Sequence, residues 1–253
     1  MKKVLVTGAA GFIGRHCVPF LTDRGYEVHG VLAPREDPLD LPAQWHRADL
    51  LDELQTAELT ATVEPSHLLH FAWYNTPGLY WDAPENLSWL KAGVGLLQSF
   101  HIHGGRRAVM AGTCAEYDWR YGLCTEDLTP TVQTTLYAAS KGALRSILYA
   151  FSRKTGLSSA WGRIFFLFGP FEHPSRLVSS VIRSLLKGEV ALCTHGRQQR
   201  DFLHVEDVAR AFAALLDSEV NGSVNIASGE PVAVRDVVMH IARNLDRDNL
   251  VRF

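Results

Sequence analysis

Residues 4–14 read Val4-Leu5-Val6-Thr7-Gly8-Ala9-Ala10-Gly11-Phe12-Ile13-Gly14. An apolar, β-branched run stops at a turn, and a helix-length amphipathic segment, residues 12–24, starts inside it. Gly8, Gly11 and Gly14 stand three apart. A strand–turn–helix of this kind suits a pyrophosphate. Gly8 permits the tight turn, Gly11 lets the phosphate approach the backbone, and Gly14 lets the helix pack closely on the strand. The helix N-terminus then offers free N–H groups to the anion. Three glycines also make an ordinary structural turn. The strand before them and the helix after set this one apart.

Working outward, short apolar strands keep alternating with helix-length segments. Strands are predicted at 3–7, 27–32, 68–72, 108–111 and 159–166. Helices are predicted at 12–24, 51–59, 85–103 and 135–155. This alternation argues for an α/β, Rossmann-type, doubly wound parallel sheet. Strands covered on both faces read as continuous apolar runs, as these do. The texture changes after Gly169-Pro170. A helix at 177–186, a polar stretch at 195–201, a helix at 205–216, a strand at 222–227 and a helix at 235–245 follow. The expected division gives 1–165 and 201–227 to a dinucleotide-binding domain. A smaller substrate-binding lobe takes 166–200 and 228–253, over the carboxyl edge of the sheet where such folds bind ligands.

Composition narrows the classes. The chain has 253 residues, 47% hydrophobic and 21% charged, enough apolar material for a core. Twenty-five basic and 27 acidic side chains give a net charge of −2, which offers no footprint for nucleic acid or an anionic membrane. No apolar run is long enough to span a bilayer, and the run after Met1-Lys2-Lys3 stops at Thr7-Gly8, too short for a signal sequence. Cys17, Cys114, Cys124 and Cys193 form no CxxC pair, and the eleven histidines show no HExxH spacing. Free thiols in the cytoplasm and no metal centre are the expectation.

The end of the second strand discriminates between dinucleotides, because an acid there accepts hydrogen bonds from a ribose 2′-OH. Leu32 stands where that acid is expected, and Arg35 follows, which leans towards NADP over NAD. Glu36 and Asp37 lie nearby, and Arg35 also reads as an ordinary surface residue. Asp49 is a candidate for the adenine amino group, or an N-cap for the helix at 51. Tyr137-Ala138-Ala139-Ser140-Lys141 falls on a predicted helix, and i,i+4 spacing puts Tyr137 and Lys141 on one face. A neighbouring ammonium favours the phenolate of a general acid/base tyrosine. Thr113, just past a strand's carboxyl end, suits a donor to a developing alkoxide, or caps a loop.

Together these segments resemble an extended short-chain dehydrogenase/reductase of the nucleotide-sugar epimerase/dehydratase/reductase group. The resemblance runs through residues 7–14, Leu69-His70-Phe71-Ala72, Thr113 with Tyr117, Tyr137 to Lys141, and Arg200-Asp201-Phe202-Leu203-His204-Val205-Glu206-Asp207-Val208. It implies that Tyr137 is the acid/base, Lys141 its partner and ribose ligand, and Thr113 the carbonyl donor. Gly8, Gly11, Phe12, Ile13, Gly14, Leu50 and Ala72 would join Arg35 and Asp49 at the cofactor. Arg200 would bind the substrate diphosphate, and two long helices, 85–103 and 135–155, would form a homodimer.

The departures narrow the chemistry. Dehydratases of this group carry acids directly after the threonine; here Cys114 and Ala115 stand there, which disfavours water elimination. Glu116 is displaced by two residues, to contact substrate or pack in the turn. Phe166 and Trp89 replace asparagines that relatives use, and Trp73 and Tyr74 pack in the core or shape a sugar pocket. A 4-keto-sugar reductase is expected first, an epimerase second and a non-catalytic dinucleotide-binding protein last. Against the family pattern 253 residues is short, so the expectation is a fragment or an abbreviated lobe.

Overall fold

The computed structural model describes residues 2–253. The chain divides into two compact units, residues 1–164 with 206–226, and residues 165–205 with 227–253.

In the first unit, β1 (Lys2–Thr7) leads into α1 (Gly14–Asp23), β2 (Tyr26–Leu32), β3 (Gln44–Arg47), α2 (Glu53–Val63) and β4 (His67–His70). Then come α3 (Glu85–Ile102), β5 (Arg107–Thr113), α4 (Leu136–Thr155) and β6 (Ser158–Ile164). After an excursion into the second unit the chain returns as α6 (Val205–Leu216) and β10 (Gly222–Ile226). The seven strands pair in the order β10-β6-β5-β4-β1-β2-β3, every pair parallel. Central strands are buried throughout, as in β5, where every residue from Arg107 to Thr113 is inside. The order reverses between β1 and β4, and the crevice at the carboxyl ends of those strands is where doubly wound sheets take ligands.

The second unit holds β7 (Phe166–Phe168), α5 (Leu177–Leu186), β8 (Ala191–Leu192), β9 (Gln199–His204), β11 (Pro231–Ala233), α7 (Val234–Asn244) and β12 (Val251–Arg252). Its core gathers Val181 and Leu185 of α5 with Val234, Val238 and Ala242 of α7.

The structure revises several expected bounds. The helix expected at 51–59 runs over Glu53–Val63, because Asp52 caps it by accepting from Leu54 and Gln55 N–H groups. Asp49 is therefore not its N-cap. The strand expected at 159–166 is two: β6 closes in the large sheet, and β7 pairs with β9 in another. Residues 201–205, expected in the dinucleotide domain, fall in the second unit because Gln199–His204 pairs with β7 and β11. Edge strand β3 was not expected; Gln44-Trp45-His46-Arg47 lacks the apolar run of a buried strand. No helix among the described residues is long and apolar enough to cross a membrane.

Candidate active site

The glycine turn closes on itself. Gly8 has a positive φ of 67°, and a Cβ there would lie 3.0 Å from the Ala72 nitrogen. A Cβ on Gly14 would lie 2.1 Å from the Gly8 carbonyl oxygen, so α1 starts this near β1 only without a side chain. Thr7 Oγ1 joins the carboxyl ends of β1 and β4, accepting from Ala72 N–H at 3.3 Å and meeting His70 Nδ1 at 2.7 Å. Ile13 sits at the N-cap of α1, where no side chain caps the helix and no acid occupies the first turn. The N-terminus of α2 differs, since Asp52 fills it. A helix start with neither a capping side chain nor an acid, above a close-packed glycine turn, fits a diphosphate.

At the end of β2, Leu32 is buried and the chain turns through exposed Ala33 to Asp37. The Glu36 carboxylate folds back to accept from Ala33 N–H at 2.9 Å, and Arg47 donates to the Ala33 and Pro34 carbonyls. An acid thus returns to the strand end from four residues beyond Leu32, beside exposed Arg35. Asp49 accepts from Leu51 N–H at 3.0 Å, just after β3, and Leu50 is packed in the core.

Tyr137 enters α4 one residue after its start. The helix is capped by Thr135, whose hydroxyl accepts from Ala138 N–H at 3.1 Å. The Tyr137 hydroxyl is hydrogen-bonded to Thr113, the last residue of β5. Burial pushes the Tyr137 phenol well up, and the Thr113 hydrogen bond opposes that. Lys141, one turn on and buried, donates to the Ala111 carbonyl at 2.9 Å. Burial lowers its pKa to about 7, and the Glu116 carboxylate opposes this. The structure brings the three expected catalytic side chains together.

Of the two places expected for Glu116, at substrate or packed in the turn, the side chain takes the second. It is 1% exposed. Its carboxylate accepts from Thr113 N–H at 3.0 Å, Trp161 Nε1 at 2.8 Å and Arg163 Nε at 3.2 Å, with Arg145 Nε at 3.4 Å. A carboxylate this fully engaged is a brace for the turn that carries Thr113. Arg163 was not singled out from the sequence. It is wholly buried in β6 and also donates to Tyr117 Oη at 2.7 Å. The available signal was a lone charge in the apolar run around Gly162 and Ile164, which demands a buried acid.

Trp73, expected in the core or at a sugar pocket, packs against the core and lies on Lys141. Lys141 Nζ stands 3.9 Å from the centre of its ring. The Trp73 indole N–H donates to Asn86 Oδ1 at 2.8 Å, and Asn86, fully buried, donates to the Tyr80 and Ala83 carbonyls. Tyr80 and Trp81 in turn meet the Tyr137 ring edge-on, at 4.9 and 6.0 Å between centres. Asn86 was missed in the sequence, where it is one more polar residue at a helix start.

In the second unit, Arg200 on β9 lies over the Phe166 ring at 4.9 Å and donates to the Gln199 carbonyl. Its neighbour Asp201 accepts from Ser228 and Gly229 N–H groups and so fixes the turn before β11.

Three comparisons bear on this arrangement. Residues 4–227 match the NAD dependent epimerase/dehydratase family. The dTDP-6-deoxy-L-talose 4-dehydrogenase (NAD(+)) of Aggregatibacter actinomycetemcomitans is 26% identical over 244 residues, covering 93% of this chain and 88% of that protein. The UDP-glucuronate 4-epimerase of Thermodesulfobacterium geofontis is 25% identical, over 96% of this chain and 80% of its own length. Among solved structures, the UDP-glucose 4-epimerase of Thermus thermophilus in complex with NAD superposes with a TM-score of 0.85. It is 29% identical, and the match covers 99% of this chain and 85% of that one.

Proposed function

Because this chain belongs to the NAD dependent epimerase/dehydratase family, we propose that it is an oxidoreductase of nucleotide-activated sugars that reduces a 4-keto sugar. The observation that carries this reading is the Thr113–Tyr137 hydrogen bond with Lys141 one turn on, in the unit that holds the glycine turn. A bound nicotinamide would supply the hydride for the carbonyl carbon. Tyr137 gives its hydroxyl proton to the carbonyl oxygen and is reprotonated from solvent. Thr113 donates a hydrogen bond to that oxygen as negative charge grows on it. Gly8, Gly11, Phe12, Ile13, Gly14 and Ala72 would hold the dinucleotide, with Asp49 and Leu50 at its adenine and Arg200 on the sugar's diphosphate.

A nucleotide-sugar epimerase is the second reading, favoured by the likeness to the NAD-bound Thermus epimerase over nearly the whole chain. The same residues serve it, with hydride removed and returned in one turnover. Cys114 and Ala115 after Thr113 speak against dehydration in either case. Of the dinucleotides, the Glu36 carboxylate at the end of β2 favours NAD, since it repels a 2′-phosphate; Arg35 is the argument for NADP. A cytoplasmic homodimer through α3 and α4 completes the reading. It is supported by four free cysteines and by exposed Leu87, Ile102 and Ile147 on those helices.

The deciding experiment is a thermal-shift panel of NAD, NADP, UDP and dTDP, followed by progress curves with the nucleotide sugars it selects. Cofactor consumed in step with product establishes the reductase, and turnover without net cofactor change establishes the epimerase. No shift with either dinucleotide would remove both readings.

A further inference from the structure

The family resemblance assigns Lys141 but gives no role to an aromatic ring beside it. Three observations converge there. The Lys141 ammonium is buried, with the Ala111 carbonyl as its hydrogen-bond acceptor. The face of Trp73 covers it at 3.9 Å, inside the range where the ring quadrupole attracts a cation. Trp73 is itself fixed, because its indole N–H is held by Asn86, whose amide is spent on the Tyr80 and Ala83 carbonyls. The same loop is fastened to the start of α4: Tyr137 N–H donates to the Trp81 carbonyl at 2.9 Å and Leu136 N–H to Asp82 at 3.1 Å.

We propose that Trp73 is a positioning residue for the catalytic pair: its ring, tethered by Asn86, holds the Lys141 ammonium charged and aimed one turn below Tyr137. A buried ammonium with one carbonyl acceptor has lost most of its hydration. The π-face restores part of that stabilisation without offering an acceptor that would draw the ammonium away from a ribose hydroxyl. The titratable groups around Lys141 are Glu116 from the turn after β5, His70 at the end of β4 and Tyr137 on its own helix. His70 is held neutral by burial and by the lysine itself, so Glu116 and the Trp73 ring are what favour the charge. This deepens the proposed function and rests on its assignment of Lys141.

The test needs no sugar. Lys141 is one of six lysines. Its titration is followed by NMR in protein labelled with 13C-lysine, as wild type, Trp73→Phe and Trp73→Leu. Removing the ring disfavours the charged form, so the Lys141 midpoint falls in Trp73→Leu by roughly one pH unit, and by less in Trp73→Phe, which keeps a ring but loses the tether to Asn86. Uniform incorporation of fluorinated tryptophan weakens the ring quadrupole at nearly constant shape. It covers the case in which Trp73→Leu does not fold, and it is expected to lower the midpoint in the same direction. NADH affinity, read by its fluorescence, is expected to weaken several-fold at pH 8 in Trp73→Leu. An unmoved Lys141 midpoint in both the leucine variant and the fluorinated protein overturns the proposal. So does tighter NADH binding in Trp73→Leu, which would mean that the indole stands in the cofactor's place. A wild type that binds no dinucleotide removes the function reading; the NMR titration still decides whether the ring holds the ammonium.

Discussion

Tyr137 and Glu116 lie near one another yet make opposite predictions. Tyr137→Phe removes one hydroxyl from a residue whose ring is held by its neighbours. The expected result is a loss of turnover of about 10²–10⁴-fold with dinucleotide binding and melting temperature near wild type. Glu116→Ala leaves Arg163 in β6 and half-buried Arg145 without their carboxylate. Breaking a buried pair in this way costs roughly 3–5 kcal/mol, which urea unfolding will register before any kinetic effect is interpretable. Tyr137 and Lys141 were legible in the sequence because helical spacing is local: four residues along a helix bring two side chains to one face whatever surrounds them. Glu116 was legible as a displaced acid that meets substrate or packs in the turn, but the partners that hold it were not. Arg163 and Trp161 lie over forty residues away, and only the pairing of β5 with β6 brings them to it. Trp73 stayed open between core and pocket for a related reason. Aromatic residues after a strand end suggest a pocket, and nothing in their order reveals that one of them covers a lysine nearly seventy residues on.

At the scale of elements, the two ends that matter most are the starts of α1 and α4. Gly14→Ala places a methyl 2.1 Å from the Gly8 carbonyl, so α1 must move off β1. Loss of the NAD-induced thermal shift, with a destabilised apoprotein, is the expected outcome. Thr135→Ala removes the cap two residues before Tyr137 and six before Lys141, at about 1 kcal/mol measured by denaturant titration. Helices α3 and α4 and the strands β1, β2, β4 and β5 were readable as elements because their apolar positions are long runs or full turns. The short strands of the second unit were not. β7 reads as the tail of the apolar run that begins in β6, β9 carries polar residues on both faces, and β11 is only three residues long, so neither alternation nor a separate run marks them.

For the molecule as a whole, its buried histidines set the acid side of its stability. Burial lowers the pKa of His29, His46, His67 and His70, to about 4 for His67 and about 3 for His70. These groups are neutral in the native state and protonate more readily when unfolded. Their contribution is therefore fully present above the unfolded value near 6.5 and is lost as pH falls from there towards 4. Each proton taken up only by the unfolded chain steepens the loss by about 1.4 kcal/mol per pH unit. Urea midpoints measured at pH 7.5, 6 and 5 should fall in that order, and replacing His70 by Asn should flatten the decline.

The order in which the chain visits its two units has a consequence for biosynthesis. β10 completes the large sheet at one edge, yet it is made only after the chain has left that sheet at Ile164 and built Phe165–Val205 of the second unit. On a ribosome adding roughly 5–20 residues per second, β6 waits several seconds for its outer neighbour. During that wait its open backbone groups are a template for any extended segment of a nascent chain nearby. Arg163 stands in that waiting strand, so its pairing with Glu116 from the already finished β5 turn keeps a charge within the strand most open to mispairing. Pulse-labelled chains arrested near residue 165 and near residue 230 will differ in aggregation if this holds. The shorter chains should associate, and the longer ones should remain single.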